Sequence, residues 1–279
     1  MALVVNTNMN ALMIENTLAN TNNNVSASLQ KLSSGLRINS AKDDPAGQAI
    51  GNAFAASIAS MNVASQNANE AQSMLQTADG AYTQINDILV QMKSLATEAA
   101  SGQQTPANLT SLNGEFMKLQ NEIDKIAQST QYGTTNLVDG STTATNGITF
   151  QVGASNLVSN QIVVTFNGAT TGCLAVASTT VGIGSLVCAQ AAMMSIDTAL
   201  TSINAFMGDV GAFQNQLQYT VSNLTTSIQN YTSSESTIMD VDMASEVSNL
   251  TKNEILQQSA TAMLAQANSQ PQQILKLLS

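Results

Sequence analysis

The sequence predicts a mainly α protein: a long antiparallel helical hairpin, or coiled-coil bundle, with a small β-rich insertion at its distal end. Three observations predict it. Apolar and small residues recur at alternating spacings of three and four through both ends of the 279-residue chain. The middle, residues 135–190, turns to Gly, Thr, Ser, Val and Ile, with no charged residue after Asp139. Only 9% of all residues are charged, against roughly 25% in an average soluble protein, and Asn, Gln, Ser, Thr and Ala fill the space.

The elements follow in order. Leu18, Val25, Leu29, Leu32 and Leu36 mark an N-terminal helix. The stretch "LQKLSSGLRINSAKDDPAGQAIG", residues 29–51, then gathers Lys31, Arg37, Lys42, Asp43 and Asp44 in a chain otherwise poor in charge. Gly35 permits a bend, Asp44 suits an N-cap and Pro45 the first helical position. Asp43 and Asp44 read as capping groups that complement the helix dipole. Adjacent carboxylates at a helix start lack the opposed, buried geometry of a catalytic pair. The GxxxG spacing of Gly47 and Gly51 means close helix packing in so polar a context.

Next comes Met61, Ala64, Ala68, Ala71, Leu75, Ala78, Tyr82, Ile85, Leu89, Met92, Ala96 and Ala99, an unbroken seam that meets the coiled-coil condition. Running from near Pro45 to near Gly102, such a helix is roughly 80 Å long at about 1.5 Å per residue. Leu109, Leu112, Phe116, Leu119, Ile123 and Ile126 form a third helix after the turn at Gly102–Pro106. "GITFQVG" and "QIVVTFNG" alternate with the period of strands and are bounded by Asn-Gly and Gly turns. Ile196, Leu200, Ile203, Val210, Phe213, Leu217, Leu224, Ile228 and Tyr231 mark a long C-terminal helix. Leu256, Ala260, Met263, Ala267, Ile274 and Leu277 mark the last. Rods of this kind bury little alone, so they bundle with each other or with neighbouring copies.

Composition narrows the function. A net charge of −10 and a pI near 4.1 argue against nucleic acid, which needs clustered Lys and Arg. No run of 18 or more apolar residues predicts a membrane span, and the N-terminus lacks the basic region of a cleaved signal peptide. There is no His, which removes Ser-His-Asp triads and HExxH metal sites; no GxGxxG or Walker A motif occurs either, so no enzyme, metal or cofactor is expected. The helical spacing of Met9, Met13, Met61, Met74, Met92 and Met117 points to core filling. Low charge favours association. Cys173 and Cys188 admit two readings: a disulfide clamping a hairpin, or two buried thiols acting as small hydrophobes.

The stretch "LQKLSSGLRINSAKDDPAGQAI" resembles the N-terminal signature of bacterial flagellins, and "MASEVSNLTKNEILQQSATAMLAQANSQPQQILKLLS", residues 243–279, resembles their C-terminal one. The resemblance implies inner-tube helices at residues 1–36 and 245–279, with Leu18, Val25, Leu29, Leu32, Leu36, Leu256, Met263, Ile274 and Leu277 as assembly residues. It implies a linking spoke at 37–44 and 236–244, carrying Arg37, Lys42, Asp43 and Asp44. An outer helical bundle at 45–134 and 191–235 and a short variable insertion at 135–190 complete the expected organisation. The family's function would be a filament subunit for motility, polymerising with itself. It would be exported unfolded by a flagellar type III route without a cleaved signal, and would fold on assembly outside the cell.

Export chaperone, cap and hook-junction proteins are the further partners the resemblance implies. A flagellin-like hook–filament junction protein and a secreted adhesin are the alternatives. The family's contacts for the vertebrate Toll-like flagellin receptor correspond to Gln91, Leu95 and Glu115. Gln91 stands where those flagellins carry Arg, so weak recognition is implied.

Overall fold

The computed structural model describes residues 8–140, 147–178 and 181–278, with side chains as far as Gln270. Five helices and two small hairpins occur among the described residues: α1 (Met9–Ser34), α2 (Pro45–Ala99), α3 (Pro106–Ser129), β1 (Gln131–Tyr132), β2 (Thr135–Asn136), β3 (Ile148–Gln151), β4 (Gln161–Val164), α4 (Leu186–Met239) and α5 (Met243–Leu278). They divide into two compact units. Unit 1 holds Met1–Ile58 and Gln229–Ser279, and unit 2 holds Ala59–Ile228. The borders between them lie at residues 58/59 and 228/229. Both borders fall inside helices, because 55-residue α2 and 54-residue α4 continue without a break while their packing partners change.

Unit 2 contains the main core. The α2 seam from Met61 to Ala99 is buried at every expected position. Its partners are Phe116, Ile123 and Ala127 of α3, and Ala189, Ala192, Ile196, Ala199, Ile203, Val210 and Leu217 of α4. The buried positions of α3, Phe116, Gln120, Ile123 and Ala127, recur at four-three-four spacing, and a Thr105 N-cap and Pro106 fix where the helix begins. Helices α2 and α4 run antiparallel, since Asn86 meets Asn204 and Lys93 pairs with Asp197. An 18-residue window of α4 is apolar enough to cross a bilayer by length and composition. One stripe of the helix, Ala189, Ala192, Ile196, Ala199 and Ile203, recurs at three-four spacing and is buried in this core while Leu186, Val187 and Met194 stay exposed, which is the pattern of a bundle helix.

The β-rich insertion is smaller than a sheet domain. Strands β3 and β4 pair antiparallel, Ile148 opposite Val164 and Gln151 opposite Gln161. Ile162 and Val164 turn inward and Val163 outward, the period-two alternation of a half-buried strand. The return segment to α4 is held by polar side chains of α3. Asp124 accepts from the Thr171 N–H (2.8 Å) and hydroxyl (2.9 Å), and Asn113 accepts from the Ile183 N–H (2.9 Å). The buried Gln120 amide donates to the carbonyls of Val176 (2.6 Å) and Val181 (3.0 Å). These contacts satisfy backbone groups that no ladder reaches. The Tyr82 hydroxyl donates to the Asn167 carbonyl at 2.7 Å, and burial pushes its phenol above the ordinary value.

Two expectations change here. Leu36 does not extend the N-terminal helix: Gly35, with φ of 74°, closes α1 in the left-handed conformation, and Leu36 instead forms an isolated bridge with Asp240. Cys173 and Cys188 are both free and both exposed, so neither the disulfide nor the buried-thiol reading stands. Cys188 N–H bonds the Ser185 hydroxyl in the first turn of α4 while Cys173 belongs to the Thr170–Val176 turn, so the two anchor to different local structures. Native protein treated with an alkylating reagent and no reductant should gain two adducts by intact mass.

Candidate functional site

Unit 1 is built around the charged turn. Asp44 caps α2, its Oδ1 accepting from the N–H groups of Ala46 (3.1 Å) and Gly47 (3.0 Å). Asp43 closes the turn on itself, accepting from the N–H of Asn39 (3.2 Å) and from the N–H (3.0 Å) and hydroxyl (3.1 Å) of Ser40. The Asn39 N–H, then the Ser40 hydroxyl, and more weakly the Lys31 charge, hold the Asp43 carboxyl below its ordinary value. Arg37 reaches the C-terminal end of α4, where its guanidinium donates to the Ile238 carbonyl at 2.7 Å and its N–H to the Met239 carbonyl at 2.6 Å. A cation at that end complements the helix dipole. Lys42 stands exposed at the turn.

The returning chain mirrors this arrangement. Asp242 caps α5, accepting from the N–H groups of Ala244 (3.0 Å) and Ser245 (3.2 Å), and Val241 N–H donates to the Gly35 carbonyl at 3.0 Å. Gly51 packs closely against the end of α4, as the spacing implies, whereas Gly47 lies against the Ile38–Asp44 turn. A Cβ on Gly51 would lie 2.5 Å from the Met239 sulfur, and one on Gly47 would lie 2.6 Å from Ile38 Cδ1. Phe54 and Tyr231 stack edge to face beside them, with centroids 5.4 Å apart.

Helices α1 and α5 pair antiparallel: the Asn8 amide donates to the Ala267 carbonyl (2.9 Å) and the Gln257 amide to Asn22 (2.7 Å). Their seam is thin. Leu18, Val25 and Leu32 are half-buried, whereas Leu29, Leu256 and Met263 are exposed. Thr21 and Ser28 occupy its buried centre. Ile274 and Leu277 lie outside the residues whose side chains are described. Among the described residues, the only buried hydrophobic side chains of unit 1 are Ile38 and Ala267, 3% and 8% exposed. Met9, Leu12, Met13, Val247 and Ile255 add to the exposed apolar surface.

The expected receptor contacts do not form one exposed patch. Gln91 and Glu115 are exposed, but Leu95 is only 9% exposed and belongs to the unit 2 core beside Ala96 and Met92.

The profile of the bacterial flagellin N-terminal helical region matches residues 5–143, and that of the bacterial flagellin C-terminal helical region matches residues 193–278. The chain belongs to the bacterial flagellin family. It is 35% identical to a flagellin of Halalkalibacterium halodurans over 276 residues, covering 99% of this chain and 100% of that one. A flagellar filament 33 kDa core protein of Treponema phagedenis is 35% identical over 285 residues, with 99% and 100% covered. A flagellar hook-associated protein structure from Vibrio parahaemolyticus aligns with a TM-score of 0.58 at 12% identity, over 70% of this chain and 99% of that one. That likeness shows the fold alone. As a flagellin, the chain is a structural subunit of the flagellar filament, the extracellular part of the flagellum, and polymerises with copies of itself.

Proposed function

We propose that unit 1 is the part of this flagellin that builds the filament, with α1 and α5 forming its inner tube and the turn around Arg37–Asp44 the spoke. The observation that supports this is the mismatch within unit 1: helices of 26 and 36 residues whose buried hydrophobics, among the described residues, are Ile38 and Ala267. Helices that long are not held by so little burial, and propensity contributes little with so many Asn, Thr and Ser residues. Apolar area from neighbouring subunits supplies the rest.

Export follows from the same economy of contacts. A terminal pair that orders only when neighbours cover it travels as an unfolded chain through a flagellar type III channel, without a cleaved signal, and folds at the growing tip. An export chaperone, the cap and hook-junction proteins are the partners that route requires. The subunit acts without catalysis, metal or cofactor. With Leu95 buried, Gln91 and Glu115 are what the bundle offers a Toll-like receptor, which makes recognition weak. Purified subunits added to sheared filament seeds should elongate them under electron microscopy. Failure to elongate under any salt condition that preserves the seeds would overturn the proposal.

A further inference from the structure

The chain holds 13 methionines, and most of those described lie at one of two extremes of burial. Met61, Met74 and Met92 are withdrawn into the unit 2 core, whereas Met9, Met13 and Met194 stand exposed, where an oxygen added to sulfur projects into solvent. Met239 lies between them. It is half-buried, the last residue of α4, and its thioether rests on bare backbone. A Cβ added to Gly51 would lie 2.5 Å from its sulfur, 2.8 Å from its Cγ and 3.5 Å from its Cε, so nothing larger than hydrogen fits between α2 and this side chain.

The same residue anchors the tie between the outgoing and returning chain. Its carbonyl accepts from the Arg37 N–H at 2.6 Å, the preceding carbonyl of Ile238 accepts from the Arg37 guanidinium at 2.7 Å, and the following residue, Asp240, bridges to Leu36. Side chain and carbonyl of Met239 therefore hold one joint from two sides. A side chain forced off Gly51 carries the carbonyls with it.

We infer that Met239 is a site of reversible oxidation, at which peroxide loosens this joint and slows the entry of the subunit into the filament. The inference rests on the filament reading above. In the step itself the sulfur attacks one peroxide oxygen, the O–O bond breaks, an S–O bond forms and the second oxygen leaves as water; sulfur loses the two electrons that peroxide gains. The sulfoxide is bulkier and is a hydrogen-bond acceptor. The face of α2 offers it neither space nor a free donor, because the Gly51 N–H belongs to the helix ladder. A filament stands outside the cell, so peroxide reaches it without crossing the reducing cytosol. A methionine sulfoxide reductase with a dithiol reverses the step: the oxygen leaves as water and the two thiols become a disulfide.

The test uses full-length subunits treated with hydrogen peroxide, freed of it and added to untreated seeds. Treated wild type should elongate seeds about fivefold or more slower than untreated, the order expected when one tight packing contact is lost. Met239→Leu, apolar and of similar volume, has no sulfur to oxidise and should stay within about twofold of its own untreated rate. Met194→Leu, which removes an exposed sulfur, should stay as sensitive as wild type. Recovery needs no variant and separates this sulfur from the two free thiols. Dithiothreitol alone, which regenerates Cys173 and Cys188 from a disulfide or sulfenic acid, should leave treated wild type slow, while the reductase with dithiothreitol should return it to within about twofold of the untreated rate. Peptide mass spectrometry should find oxygen on Met239 after treatment and none after the reductase. Treated wild type that keeps its rate, a treated Met239→Leu as slow as treated wild type, a resistant Met194→Leu, recovery with dithiothreitol alone or none with the reductase would each overturn the inference. So would a Met239 that gains no oxygen. Untreated wild type that fails to elongate seeds would instead overturn the filament reading itself.

Discussion

Deleting Leu264–Ser279 is expected to abolish seeded elongation while the subunit keeps a cooperative helical melt. The deletion removes Ala267, one of two buried hydrophobics among the described residues of unit 1, and the carbonyl that receives the Asn8 amide at the start of α1. It also removes the end of α5 from any contact with neighbours. Unit 2 needs none of this, because its core from Ala68 to Leu217 lies wholly between Ala59 and Ile228. Circular dichroism and electron microscopy of one preparation check both halves. Elongation at the wild-type rate would remove the tail from the assembly surface.

The second large effect is confined to the bundle. Phe116 is fully buried on α3 and belongs to the hydrophobic core that also holds the α2 seam. Phe116→Ala should cost about 3–5 kcal/mol, the range for removing a buried aromatic ring and leaving a cavity. For a unit of this size the melting temperature falls by about 6–20 °C. Met117→Ala, one residue on and exposed, should change stability by less than about 0.5 kcal/mol. Thermal melts of the two variants side by side read the difference, and equal shifts would show that α3 does not pack through Phe116.

How much of this was legible beforehand depended on whether the signal was periodic. The Met61–Ala99 seam was legible in full, because strict three-four spacing leaves one face to bury and Ala, Leu and Tyr on it have no polar alternative. Asp44 and Pro45 announced the start of α2 by chemistry specific to that position. Leu36 was misassigned because the apolar spacing runs on past Gly35, where the backbone has already turned left-handed. Leu95 shows the converse, since matching a family position says nothing about which way the side chain turns on this helix.

The anchors of the return segment were not legible. Asn113, Gln120 and Asp124 bind backbone groups 47 to 70 residues away in sequence, and no local pattern encodes such a partner. The unit borders inside α2 and α4 were hidden for a related reason: helical periodicity continues while the packing partner changes. In the terminal helices the apolar positions were found but not their exposure, because a seam completed by another molecule has the same spacing as one completed within the chain.

The Leu36–Asp240 bridge, with the Gly35, Arg37, Met239 and Val241 backbone bonds around it, ties the chain's outgoing and returning passages at one point. A tie of this kind sets an effective concentration. Two helices leaving a common joint meet each other at roughly millimolar levels whatever the dilution of the protein outside, so their pairing is a first-order event. Only the capture of the pair by the fibre end then depends on how many subunits arrive. Growth of such a fibre scales with the first power of subunit supply, and weakening the joint, for example by Arg37→Ala, slows each capture without changing that order.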